Sequence, residues 1–353
     1  MAARSRIRRV LAIAFKTVVV GLMVLIVAGV VYEELGRARD RRRLSQIGQS
    51  IDVGGRTLNM YCAGEGGPAV ILDTGRGTPG YSWAHIHAEI AKLTRACWFD
   101  RAGEGWSDIA PSPQSSAALA RDLHELLTRA GVPAPYVLVG HSLGGLNARV
   151  YTGLFPGEVA GLVLVDAAHE DEPRRAPEAY RGRTLPRYLW NPVYQAGRFA
   201  ARVGLLRLLA PAAPLPTDPS RLTSEQIVEA LRRQPKSLAN AFSATAPESY
   251  AEAQASSGFG NRPLIVLTRG KALAGANDPG IDRESAEYER VWVHEIQPQL
   301  ARLSTEGRQV IIESSGHRIP EEAPEAVVGA VREVLEKIRE VKLKGSAGSV
   351  MKP

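Results

Sequence analysis

The runs "AVILDT", "RACWFD", "PYVLVG" and "VAGLVLVD", between residues 69 and 166, alternate with longer segments such as "WAHIHAEIAKL" and "SSAALARDLHELLTRAGV". Strands that are apolar at nearly every position are buried on both faces, and connections long enough to hold a helix join parallel neighbours. This alternation confines the chain to the α/β class, with a mainly parallel sheet covered by helices on both sides. "SIDVGGRTLNMYCAG" adds a starting hairpin turned at Gly54-Gly55, which makes the sheet mixed. The pattern resumes in "RPLIVLTRG" and "RQVIIESSGH" and closes on a helix, "EAVVGAVREVLEKIREV".

Between these halves, residues 167–262 are rich in proline and carry short amphipathic segments such as "LTSEQIVEALRRQ". An insertion between strands of one sheet is expected to cap its carboxyl edge, where α/β proteins place their sites. The expected organisation is a membrane anchor over 1–32, a polar linker over 33–50, an α/β domain over 51–341 and a flexible tail over 342–353.

The anchor rests on residues 10–32, 23 residues without an acid. As a helix they reach about 34 Å, against a hydrocarbon core of about 30 Å. Lys16 lies near one end, where its stem carries the ammonium to the interface. A cleaved signal peptide is the competing reading; the length of the apolar run and the poor cleavage site favour a retained single-pass anchor. Net charge is +7, yet residues 1–50 hold ten Lys/Arg against three acids, so the rest of the chain is neutral. That removes the main support for a nucleic-acid partner. Arginines flank both ends of the span, so charge does not fix its orientation. Cys62 and Cys97 sit in two strand-like runs, either as two buried thiols or as a disulfide of an oxidising compartment.

Within "VLVGHSLGGL", Gly140-His141-Ser142-Leu143-Gly144 fits the G-x-S-x-G pattern, a sharp strand-to-helix turn with a serine at its apex. "DRAGEGWSD" and "SSGHRIPEEAPEAV" accompany it in chain order. With these three motifs the chain resembles the α/β-hydrolase superfamily from about Ser50 to Val341. The resemblance implies an eight-stranded sheet with only the second strand antiparallel, and a Ser, acid, His order. It also makes Cys62 and Cys97 neighbours across the second and fourth strands, and their pairing as a disulfide would set the catalytic domain in an extracytoplasmic space. Ser142 is then the expected nucleophile and His317, after the last strand, its base. His141 is expected to point elsewhere; His85, His87, His124 and His294 lie in helical patterns away from the edge, and His169 is held in reserve. The backbone N–H groups of Leu143 and Arg76 are the expected oxyanion donors. For the acid, Asp166 at the end of the sixth strand is preferred, Asp278 and Asp282 are alternatives, and Asp171 is set aside.

No metal or cofactor is expected, because ligand spacings, phosphate loops and dinucleotide fingerprints are missing from the sequence. The expected activity is therefore serine hydrolysis of a small-molecule ester or other acyl substrate at a membrane, with oligomeric state left open. A serine elbow does not fit the aspartyl-nucleophile branches of the superfamily. It leaves thioesterase, amidase and carbon–carbon hydrolase activity open, beside a non-catalytic ligand-binding protein of the same fold.

Overall fold

The computed structural model describes residues 2–176, 187–210, 222–241, 248–272 and 286–349. Its eight strands are β1 Gln49–Asp52, β2 Thr57–Ala63, β3 Ala69–Asp73, β4 Ala96–Phe99, β5 Tyr136–His141, β6 Val159–Val165, β7 Leu264–Arg269 and β8 Gly307–Ile312. They form one sheet in the order β1-β2-β4-β3-β5-β6-β7-β8. β2 runs antiparallel to β1 and β4, and every other pairing is parallel. The β1–β2 turn is set by Asp52, whose carboxylate accepts from the N–H groups of Gly54 (2.8 Å) and Gly55 (2.9 Å). Both glycines have positive φ, which L-residues rarely adopt.

The helices, in chain order, are α1 Ala2–Arg43, α2 Ala84–Ile90, α3 Ser116–Arg129, α4 Leu143–Leu154, α5 Glu172–Arg175, α6 Arg187–Arg202 and α7 Leu205–Leu209. They continue with α8 Ser224–Arg232, α9 Pro235–Ala241, α10 Glu248–Ala255, α11 Gln297–Ala301, α12 Ile319–Glu322 and α13 Pro324–Ser349. Alternate strand residues feed two cores. Ile71, Leu138, Leu162, Leu164 and Val266 pack beneath α3 and α4, while Val70, Val139, Val163, Val165 and Ile265 pack against α2 and α13. Period-2 alternation with apolar residues on both sides is what buries a parallel sheet completely.

Three elements depart from the expected boundaries. The segment read as a polar linker, 33–50, stays helical as far as Arg43. Glu33 pairs with Arg37 one turn on at 3.0 Å, and Arg41, Arg42 and Arg43 meet the partial negative charge of the helix C-terminus. The insertion after β6 gives its last helix, α10, to the core: Ser249 and Glu252 accept from the first N–H groups of α3, at 2.9 and 2.8 Å, and Ala253 is fully buried. At the other end, α13 runs on to Ser349 beyond residue 341, because a formed helix adds one hydrogen bond for each residue it fixes.

α1 is exposed along its apolar stretch and is, among the described residues, the single helix long and apolar enough to cross a membrane. Cys62 and Cys97 face each other across β2 and β4 and are joined as a disulfide, with Cα atoms 4.1 Å apart.

Candidate active site

At the end of β5 the backbone reverses through Ser142 with φ 53° and ψ −118°, a conformation strained for any residue with a Cβ. The neighbouring glycines make it possible. A Cβ on Gly140 would lie 2.3 Å from the carbonyl of Gly144, and one on Gly144 would lie 2.4 Å from that of Asp73. The turn is pinned on two sides: Ser142 N–H donates to Val165 (3.1 Å), and its carbonyl accepts from Gly145 (3.0 Å) and Ala168 (2.9 Å).

The structure brings Ser142, His317 and Asp166 together. Ser142 Oγ lies 3.1 Å from His317 Nε2, and His317 Nδ1 lies 2.5 Å from Asp166 Oδ2. Asp166 follows β6 at φ 41° and is fully buried, whereas His317 is 35% exposed toward the cavity. Three further donors hold the carboxylate: Arg269 Nη1 at 2.7 Å, Trp292 Nε1 at 2.8 Å and the Arg269 N–H at 3.3 Å. Burial alone would raise the Asp166 carboxyl; the Arg269 cation, His317 and Trp292 outweigh it and hold the group well below the usual carboxylate range. Glu289 grips the far side of the Arg269 guanidinium at 2.8 and 3.0 Å, so that cation is itself fixed.

His141 does not point away. Its Nε2 donates to the carbonyl of His317 at 2.8 Å, which ties the histidine loop to the elbow. Burial and the neighbouring His317 push the His141 imidazole down to about 4, so it stays neutral.

Opposite Ser142, the loop after β3 is gripped by Arg101 of the "DRAGEGWSD" motif. Its guanidinium donates to Asp73 Oδ1 (2.6 Å), to the carbonyl of Thr74 (2.6 Å) and to that of Gly75 (2.5 Å). In a trans peptide the C=O and the following N–H point in opposite directions, so holding the Gly75 carbonyl turns the Arg76 N–H the other way. The loop lies against the elbow: a Cβ on Gly75 would sit 3.5 Å from the Ser142 Cβ. Asp100 anchors the same motif by accepting from Gly80 N–H (2.7 Å), Trp106 N–H (2.9 Å) and Asn59 (3.0 Å).

A cavity of about 1160 Å³ opens above Ser142. Leu143, Leu146 and Ala168 line it near the serine, while α8 and Tyr250 form walls and Arg76 and Glu172 bring charge. Burial raises the Glu172 carboxyl, with the Arg76 guanidinium opposing. His85 also lines the cavity and bonds the Pro320 carbonyl at 2.9 Å, a correction to its expected place away from the edge. It opens α2 directly after the loop that follows β3, which delivers it to the carboxyl side of the sheet. His169 is buried and takes the N–H of Asp171 at 3.0 Å, and the Asp171 carboxylate is engaged by Arg174; neither reaches His317. Asp278 and Asp282 lie outside the described residues.

Sequence reasoning gave no role to Arg101, Arg269, Glu289 or Trp292. Arg101 had a signal, its place beside Asp100 in a quoted motif; the others act through tertiary contacts that no local pattern marks.

Residues 70–330 match the family model described as alpha/beta hydrolase family. Among solved structures, the chain is similar to a thermophilic esterase from Thermogutta terrifontis, 22% identical over 83% of this chain and 99% of that one, with a TM-score of 0.54. It is also similar to a putative epoxide hydrolase from Pseudomonas aeruginosa, 20% identical over 83% of this chain and 96% of that one, with a TM-score of 0.58. An uncharacterized protein of Bacillus subtilis is 24% identical over 160 residues, 45% of this chain and 49% of that protein. The chain spans about half, or less, of the length of the curated relatives it matches. With the family match running through the sheet, the elbow and the histidine loop, the chain belongs to the alpha/beta hydrolase family.

Proposed function

We propose that this hydrolase is a membrane-anchored serine esterase that cleaves carboxylic esters of small or medium apolar acids through an acyl-enzyme. The observation that carries the reading is the continuous hydrogen-bonded line from Ser142 Oγ through both nitrogens of His317 to Asp166.

A serine hydroxyl is a weak nucleophile until a base takes its proton. As Oγ attacks the ester carbon, its proton passes to His317 Nε2, and the Asp166 carboxylate holds the Nδ1–H tautomer and stabilises the imidazolium. The oxyanion meets the N–H of Leu143, at the start of α4 where helical N–H groups lack intrahelical partners, and the N–H of Arg76. His317 returns its proton to the departing alcohol and leaves an acyl group on Ser142. Water, deprotonated by the same imidazole, then releases the acid. The apolar lining near Ser142 suits a short acyl chain, and the charged mouth suits a polar alcohol side.

α1 supplies the membrane attachment. The Cys62–Cys97 disulfide supports an oxidising, extracytoplasmic location for the catalytic domain. A panel of p-nitrophenyl esters of increasing acyl length, assayed with the parent and with Ser142→Ala, tests the reading. Turnover that peaks at short or medium chains and vanishes in the variant is expected; turnover retained by Ser142→Ala contradicts it.

A further inference from the structure

The place where α1 leaves its apolar span is also where it touches the insertion. A Cβ on Gly29 would lie 2.3 Å from the carbonyl of Val203, and one on Gly204 would lie 2.8 Å from the Tyr32 ring. Immediately beyond, Arg207 clasps the buried Glu33 at 2.8 and 3.1 Å and reaches Asp40 at 2.9 Å. The α6–α7 corner is therefore fixed at the level of residues 29–33, the end of the 10–32 span. On that corner the side chains of Phe199, Leu205, Leu208 and Leu209 are 56%, 43%, 67% and 71% exposed. Large apolar groups are seldom left together in water without a partner. Arg202, exposed on the same turn, suits phosphate headgroups.

We propose that the α6–α7 corner is a second membrane contact, with Phe199, Leu205, Leu208 and Leu209 seated in the lipid interface beside the transmembrane helix. The occupant is a phospholipid surface, because the corner is braced to the helix at the depth where that helix enters the bilayer. Interfacial helices of this kind sink their apolar face about 5–10 Å into the headgroup and acyl boundary. The catalytic domain is then held against the membrane in one orientation, rather than swinging on a stalk. Leu44, one residue past α1, packs with Leu231 and with Ala230, which lines the cavity, so the same brace reaches the active-site cleft.

This inference rests on α1 spanning a bilayer, and one preparation separates the two ideas. Both native cysteines are bonded to each other, so a fluorophore reacts with a single introduced thiol. Full-length protein carrying Leu208→Cys, or Leu205→Cys as a second position, is labelled with an environment-sensitive dye and reconstituted in phosphatidylcholine–phosphatidylglycerol vesicles. Glu306→Cys, on the exposed turn before β8 at the opposite end of the sheet from the insertion, is the control. Blue-shifted emission and severalfold stronger quenching by nitroxide-labelled lipid at 208 and 205 than at 306 is expected. Protein that floats with the vesicles while the 208 and 205 labels stay in water overturns the seated corner and leaves the anchor standing. Protein that does not float overturns both.

Discussion

In the proposed mechanism Ser142 and His317 act as one unit, so each alone is expected to account for nearly the whole loss. Ser142→Ala and His317→Ala should each reduce turnover on the order of 10⁵–10⁶-fold, and the double variant should lose little more. Steady-state kinetics on a short ester checks this; losses that multiply would separate the two residues. Asp166→Asn should cost about 10⁴-fold, because an amide presents the wrong partner to Nδ1, and Asp278→Asn should be nearly silent. Arg269→Met removes the cation that keeps Asp166 ionised, so the acid limb of kcat/KM should move to higher pH. His141 gives a stability prediction of definite sign. Its imidazole stays neutral down to about pH 4, whereas in the unfolded chain it takes up a proton near its ordinary value of 6.5. Between those limits the unfolded state binds more protons, so stability falls as pH drops from 6.5 to 4. His141→Gln keeps a donor for the His317 carbonyl and should lessen that slope, as read from the melting temperature across the range. The serine and the histidine were legible because each sits in a short contiguous pattern beside a strand. Arg269 and Trp292 were not, since their roles arise only when the end of β7 and the helical segment just before α11 are laid beside the end of β6.

Elements explain how the site keeps its shape. Strand ends deliver Ser142 from β5, Asp166 from β6 and His317 after β8 to one edge of the sheet, and that much followed from chain order and strand pattern. The loop after β3 was harder to read, for its shape depends on Arg101 reaching back from beyond β4. Arg101→Lys keeps the buried charge, but a single ammonium cannot hold Asp73, Thr74 and Gly75 together. It should lower kcat by about 10²-fold, comparable with loss of one oxyanion donor, and leave KM nearly unchanged. An equal fall in binding and turnover would assign Arg101 to general stability instead. The polar run after the span misled for a different reason. "EELGRARDRRR" resembles a solvated linker by composition, and its helical state comes from ion pairs with residues three and four apart and from the distant Arg207.

For the molecule as a whole, the disulfide ties β2 to β4 near one edge of the sheet, and the proposed reading adds attachment to a membrane through α1. Replacing Cys62 and Cys97 by alanine should destabilise the protein by about 2–4 kcal/mol, since the bond closes a long loop in the unfolded chain. Urea unfolding with and without reductant reads this, and a parent insensitive to reductant at its midpoint would contradict it. Fold class and the long apolar N-terminal helix were visible in sequence because they are written as period and length, and the arrangement of the strands was implied by the resemblance. The insertion was visible as a proline-rich interruption, but its path was not, because such segments take their positions from the surfaces they cover. The most direct measurement is fluorophosphonate labelling of full-length protein in membranes, followed by mass spectrometry of its peptides. A single phosphonyl adduct on the peptide bearing Ser142, abolished in Ser142→Ala and strongly slowed in His317→Ala, is the predicted result. An unlabelled parent, or an adduct on any other residue, would contradict the serine-hydrolase reading.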